Sequence, residues 1–273
     1  LCRPTNADLL SFSSAVVLVA LLEHWARHIR RRRCVLLLDD AAHAFTPSQQ
    51  REAFEIFRNL RSRTVSFKAA VYPGVTSYSP YFDIGHEAEL VEAWSQPEDA
   101  QYLDAMHELV ERRLPHSLQE HLYDRPEIVD YLALASFGLP RGFLRMLSDV
   151  LGIDEDEDDA TPPTRRAAEG AAARHAESVR AIFANLALKL PRYQKFVAVG
   201  SEVEAGIVDL LSSANKQRRQ RRKAVTIALS LPFGDKLARV LEFLEYSGII
   251  RKLDTISKGD KGKFQRYSLN FGI

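Results

Sequence analysis

The sequence is short of cysteine, of net charge and of long hydrophobic runs, and each shortage narrows what the chain can be. Cys2 and Cys34 are its only 2 cysteines in 273 residues. They supply no disulfide framework and no metal signature, so a reducing, cytoplasmic setting is expected. Lys and Arg number 37 against 36 Asp and Glu, a formal net charge of +1. No global field therefore argues for a nucleic-acid or membrane partner. The apolar stretch from Leu9 to Leu22 is too short for the roughly 20 residues that span a bilayer. Glu23, His24, Trp25 and Arg27 follow it, with no small-residue cleavage pattern, so it reads as the buried part of a helix and no membrane partner is expected. No Ser/His/Asp or Cys/His nucleophile set can be argued. His24 and His28 stand one helical turn apart but lack a third metal ligand, and His107, His116 and His121 lack ligand spacing.

What the chain does have is Cys34-Val-Leu-Leu-Leu-Asp39-Asp40, five apolar residues ending in two carboxylates. Such a run suits a strand buried on both faces of a parallel sheet, with its functional groups at the carboxyl end. Two acids there have a use: one holds Mg²⁺ on a nucleotide phosphate, the other orients an attacking water. The plainer alternative is a buried strand running into an acidic turn. A helix is expected over 7–30, ending in the basic cluster Arg30 to Arg33, and another begins at Thr46-Pro47. The Val65–Val71 run is a second buried strand, so strand, helix and strand make one βαβ crossover with parallel strands. A third strand is expected near Glu89 to Trp94.

From Gln96 the pattern turns helical. Helices are expected from Pro97 to Leu114, from Arg125 to Phe137, and after Gly138-Leu-Pro-Arg141 as far as Leu151. The acidic run Asp154 to Asp159 with Thr161-Pro-Pro-Thr164 reads as a linker, because six acids repel and the prolines block a helix. Helices follow over Ala167–Leu190, over Ser201–Asn215 with Ser201 as cap and Glu204 in the capping-box position, and over Gly234–Tyr246. Six of the eight residues from Lys216 to Lys223 are basic. Two strands, Ile249–Leu253 and Gln265–Leu269, flank a glycine-rich loop with Lys258, Lys261 and Lys263. Helix followed by a hairpin with a basic tip reads as the end of a winged-helix domain.

On these residues the chain resembles a AAA+ P-loop ATPase of the origin-recognition/initiator-like group, which shades into the STAND ATPases. Cys34–Asp40 looks like its Walker B strand, Val65–Val71 like its sensor-1 strand, and Gly138-Leu-Pro-Arg141 like its sensor-2 motif. The resemblance implies a fold of α/β plus α class: a partial parallel P-loop sheet with helices, a helical lid and a C-terminal winged helix. It implies ATP and Mg²⁺ as cofactors in the complete protein, with Asp39 on the metal, Asp40 on the water and Arg141 on the γ-phosphate. Arg141 is alternatively a helix-start arginine on a solvated face. Three departures stand out. No Gly-x-x-x-x-Gly-Lys-Ser/Thr loop occurs, so the chain, which begins with Leu1, reads as truncated after it. Asp40 replaces the usual Glu, and after Tyr72-Pro-Gly the nearest polar sensor-1 candidate is Thr76.

Three domains are expected: 1–95 as the C-terminal part of the ATPase core, 96–195 as the lid with an acidic linker at about 153–165, and 196–273 as the winged helix. Lys258, Lys261, Lys263 and Arg266 suit contact with double-stranded DNA. A partner protein or a second copy of the chain is the alternative occupant. The expected activity is a nucleotide-dependent switch that moves the winged helix on DNA or a partner. The rival expectation is a non-catalytic DNA-binding or adaptor protein on a degenerate ATPase scaffold, and the third is a purely structural helical scaffold.

Overall fold

A computed structural model of the chain describes residues 15–39, 46–60, 62–72, 75–153, 162–189, 191–218 and 223–273. Asp40, the acidic run 154–159, the start of the first expected helix and Arg219 to Arg222 lie outside the described residues. Those described form a mixed α/β structure with two small sheets. The chain divides into two compact units, Leu1–Glu92 and Ala93–Ile273. No helix among the described residues is long and apolar enough to cross a membrane.

The first unit holds α1 (Ala15–His28), β1 (Cys34–Leu38), α2 (Pro47–Asn59) and β2 (Val65–Ala69). The crossover is present: β1 and β2 pair in parallel, from Cys34 opposite Val65 to Leu38 opposite Ala69. Helix α2 starts at Pro47 because Thr46 supplies a capping box. Its backbone N–H donates to Gln49 Oε1 at 2.9 Å, and its hydroxyl accepts from Gln49 N at 3.4 Å. The inner face of α2 places Phe57 against Phe67 of β2, ring centroids 4.9 Å apart. Phe54 packs on Tyr78 and Phe82, at 4.8 and 5.1 Å.

Two expectations fail here. The β1 strand is not buried on both faces: burial alternates along it, leaving Val35 45% and Leu37 75% exposed among the described residues. Alternation is what a strand shows when one face is covered. Nor do residues 89–94 form a strand. Trp94, within the second unit, instead donates from Nε1 to the Phe137 carbonyl at 2.5 Å.

The second unit begins with α3 (Tyr102–Arg113), α4 (His116–Tyr123), α5 (Pro126–Ala135) and α6 (Pro140–Leu151). Met106, Leu132, Phe143 and Leu147 lie in one buried cluster, completed by Ala168 and Ala171 of α7 (Arg165–Lys189). The helix expected from Pro97 starts later, at Tyr102, and α4 was not foreseen. Between α5 and α6 the chain turns on Phe137 (φ 55°) and Gly138 (φ 83°).

A second buried cluster joins the far half of α7 to α8 (Gln194–Gln217), β3 (Thr226–Ser230), α9 (Asp235–Tyr246), β4 (Ile250–Ser257) and β5 (Lys263–Leu269). The antiparallel sheet runs β3-β5-β4. Ser201 is not a helix cap. It sits inside α8, and its hydroxyl donates to the Val197 carbonyl at 3.3 Å. The helix extends back to Gln194 because Gly200 lets it approach α7: a Cβ there would lie 2.4 Å from Phe183 Cζ. Glu204 is no capping-box acid either. It is buried and accepts from Arg180 Nε at 2.6 Å.

Candidate functional site

Two groups of residues carry chemistry, one in each unit. In the first, the parallel pair brings the carboxyl ends of β1 and β2 side by side. Ala70 N donates to the Leu38 carbonyl at 2.9 Å, so pairing runs up to the residue before Asp39. Asp39 is exposed directly beyond β1. Thr76 is half-buried after β2, and its hydroxyl accepts from Tyr72 N at 2.8 Å, closing the turn. Gln50 Oε1, buried on α2, accepts from Ser77 N at 2.7 Å, and Ser79 donates to Glu55 Oε2 at 2.7 Å. The segment after β2 is thereby pinned over α2. A single exposed carboxylate is a Mg²⁺-type donor when phosphates and waters complete the shell. Asp40 lies outside the described residues.

Arg141 belongs to the second unit, exposed in the first turn of α6 just after Pro140. A cation at a helix N-terminus faces the positive end of the helix dipole, which suits that position only when an anion is also there. Beneath it, Gly142 lies against His175 of α7. Burial, with Arg145 adding to it, holds the His175 imidazole below its usual range.

The second group is the β4–β5 hairpin. Its tip is a tight turn at Gly259–Lys261, where Gly259 and Gly262 take φ 56° and 85°. Those left-handed values favour glycine. Lys258, Lys261 and Lys263 are exposed around the tip, and Lys258 Nζ stands 5.4 Å from the Phe264 ring centroid. Arg266 is committed differently: its Nε donates to Asp254 Oδ1 at 2.8 Å across the hairpin. Behind the sheet, α9 shows Lys236 and Arg239 but also Glu242, which pairs with Arg239 at 3.3 Å. Burial, helped by Glu245 and Glu242, pushes Tyr267 up to about 12. At the end of α8, Asn215 binds Ala224 through both amide atoms, at 2.9 and 2.7 Å, and Lys223 Nζ donates to the Asn215 carbonyl at 3.0 Å.

The neutral total hides a segregation. Residues 196–273 carry 14 Lys and Arg against 8 Asp and Glu, while 96–195 carry 12 against 18. The basic excess therefore belongs to the part of the chain that bears the hairpin.

His24 and His28 are both exposed on α1, and no cluster of three metal-ligating side chains occurs among the described residues. His107 Nε2 instead lies 2.7 Å from Asp130, and His116 Nδ1 lies 3.3 Å from Glu120. Sequence reasoning missed Arg251, which is buried at the start of β4. In Ile249-Ile-Arg-Lys-Leu the two cations read alike, and nothing local says which one turns inward. No family model matches this chain, and no curated protein or solved structure matches it either.

Proposed function

We propose that the chain binds the backbone of double-stranded DNA through its basic C-terminal end, a winged-helix module carried on an initiator-like AAA+/STAND ATPase scaffold. The observation that carries this is the hairpin tip, where Lys258, Lys261 and Lys263 are all exposed. The tip projects from a three-stranded antiparallel sheet packed on α9, within the part of the chain that holds the basic excess. Lysines on a protruding turn reach phosphates without reading bases, so affinity should be strongly salt-dependent and weakly sequence-dependent. The test is fluorescence anisotropy with a mixed-sequence duplex over a range of salt. Replacing the three lysines by Gln should flatten the slope of log K against log salt by up to about 3. An unchanged slope would assign the hairpin to a protein partner or a second copy.

Asp39 favours a second layer of the same reading, a nucleotide switch. It stands at the carboxyl end of a parallel strand, where ligands of open α/β sheets bind. In this reading Asp39 holds Mg²⁺, Asp40 orients water and Thr76 is the sensor-1 polar group. ATP then sets the position of the hairpin on DNA. The experiment is a titration of fluorescent ATP with Mg²⁺ into this chain and into a form extended upstream. Binding by the longer form alone supports the switch. Binding by neither leaves a DNA-binding protein on an inherited ATPase scaffold.

A further inference from the structure

One ion pair in the second unit has a buried cation that is only half satisfied. Arg251, the second residue of β4, has a side chain 1% exposed, and its Nη2 donates to Glu98 Oε2 at 3.1 Å. Its Nε and Nη1 are buried with no hydrogen-bond partner among the described residues. A guanidinium whose donors are stripped of water and left unmatched is costly to bury. Glu98 is 42% exposed, so water reaches its end of the pair.

The pair closes a ring of three segments. On one flank, Trp94 Nε1 donates to the Phe137 carbonyl at 2.5 Å, and the Tyr102 hydroxyl donates to the Ala133 carbonyl at 2.5 Å while accepting from Gly138 N at 3.1 Å. These bonds hold the α5–α6 elbow, where Phe137 and Gly138 both take left-handed backbone. The approach is close: a Cβ on Gly138 would stand 1.9 Å from the Ser95 carbonyl oxygen. On the other flank, the elbow residue Leu139 meets Gly248, in the turn that leads into β4. Glu98 and Arg251 then join the two flanks directly.

We propose that Glu98 and Arg251 form a releasable clasp that sets whether the start of β4, and the hairpin beyond it, is docked on the α5–α6 elbow. When the joint opens, water solvates the unmatched donors of Arg251, which offsets part of the apolar burial lost. Opening therefore costs less here than elsewhere in the two buried clusters. The clasp does not depend on the DNA reading, and its test involves no DNA.

The test is hydrogen exchange followed by mass spectrometry on the full chain, comparing wild type with Glu98→Gln and Arg251→Met. Glu98→Gln leaves the closed joint holding an unpaired cation. Exchange should rise on the order of tenfold, together in 94–102, 136–141 and 248–252, with α7 and α8 unchanged. Arg251→Met removes the hydration gained on opening, so exchange in the same three segments should fall below wild type. The clasp is wrong if Glu98→Gln changes only its own segment or none, or if it loosens the whole chain evenly. It is equally wrong if Arg251→Met speeds exchange in the joint. Should Arg251→Met fail to fold, the Glu98→Gln pattern decides alone.

Discussion

Gly142 of α6 and His175 of α7 meet so closely that a Cβ on Gly142 would stand 2.5 Å from the imidazole Cε1 and 3.0 Å from Nε2. The helices cross at this spacing because position 142 carries no side chain. The crossing lies next to Arg141, so it also fixes the residue expected to meet an anion.

Gly142→Ala therefore sets two effects against each other. Alanine in a helix gains up to about 1 kcal/mol over glycine. Forcing a methyl group into the imidazole costs about 1–3 kcal/mol. A net loss in urea denaturation is expected, and His175→Ala in the same chain should recover part of it. A net gain from Gly142→Ala alone would show that the ring moves aside freely.

Stability should fall as the solution is acidified through the histidine range. The folded state holds His175 below the ordinary imidazole value of 6.5 through burial first and Arg145 second, so the unfolded chain binds the proton more tightly. The His175 contribution is thus fully present above the unfolded value and is lost as pH falls through the folded one. His175→Gln should flatten the thermal midpoint between about pH 7 and pH 5, relative to wild type. Identical curves for the two proteins would remove His175 as the cause.

Asp254→Asn should strengthen DNA binding. It removes an acid from the hairpin and releases Arg266, whose Nε now donates to Asp254 at 2.8 Å. One more available cation should steepen the salt slope by about 1. Anisotropy titrations of the two proteins at several salt concentrations decide this, and equal slopes would exclude Arg266 from the contact.

The Arg180–Glu204 pair ties α7 to α8 with its acid almost buried, at 10% exposure. Arg180→Met strands that carboxylate and should cost about 2–4 kcal/mol. Glu204→Gln keeps a hydrogen-bonding side chain and should cost about 1–2 kcal/mol. The double variant should lose less than the two losses together, because the partners share one interaction. Strict additivity in urea melts would mean that the bond contributes nothing.

The parts of the fold that could be read in advance were those whose cause is local. Leu36 and Phe67 lie in short apolar runs separated by one helix, which is enough to give a parallel crossover. Thr46 and Pro47 carry the start of α2 in consecutive residues. The hairpin tip was equally legible, since Gly259 and Gly262 allow the left-handed turn that brings three lysines together. Local signals also misled. Ser201 and Glu204 have capping-box spacing, yet the fit of Gly200 against Phe183 carries the helix past them. Strand β3 escaped because its reason lies about forty residues away, where Ile227 pairs with Tyr267.

The sequence by itself determined the crossover, the α2 start and the closing order of a helix followed by a basic hairpin, because propensity, capping and glycine backbone act over a few residues. Only the tertiary structure decided that Val35 and Leu37 face outward, that Arg266 is held by Asp254, and that Arg251 is buried beside Glu98. Which of two neighbouring cations turns inward depends on what stands opposite it, and for Arg251 that is a carboxylate 153 residues earlier in the chain.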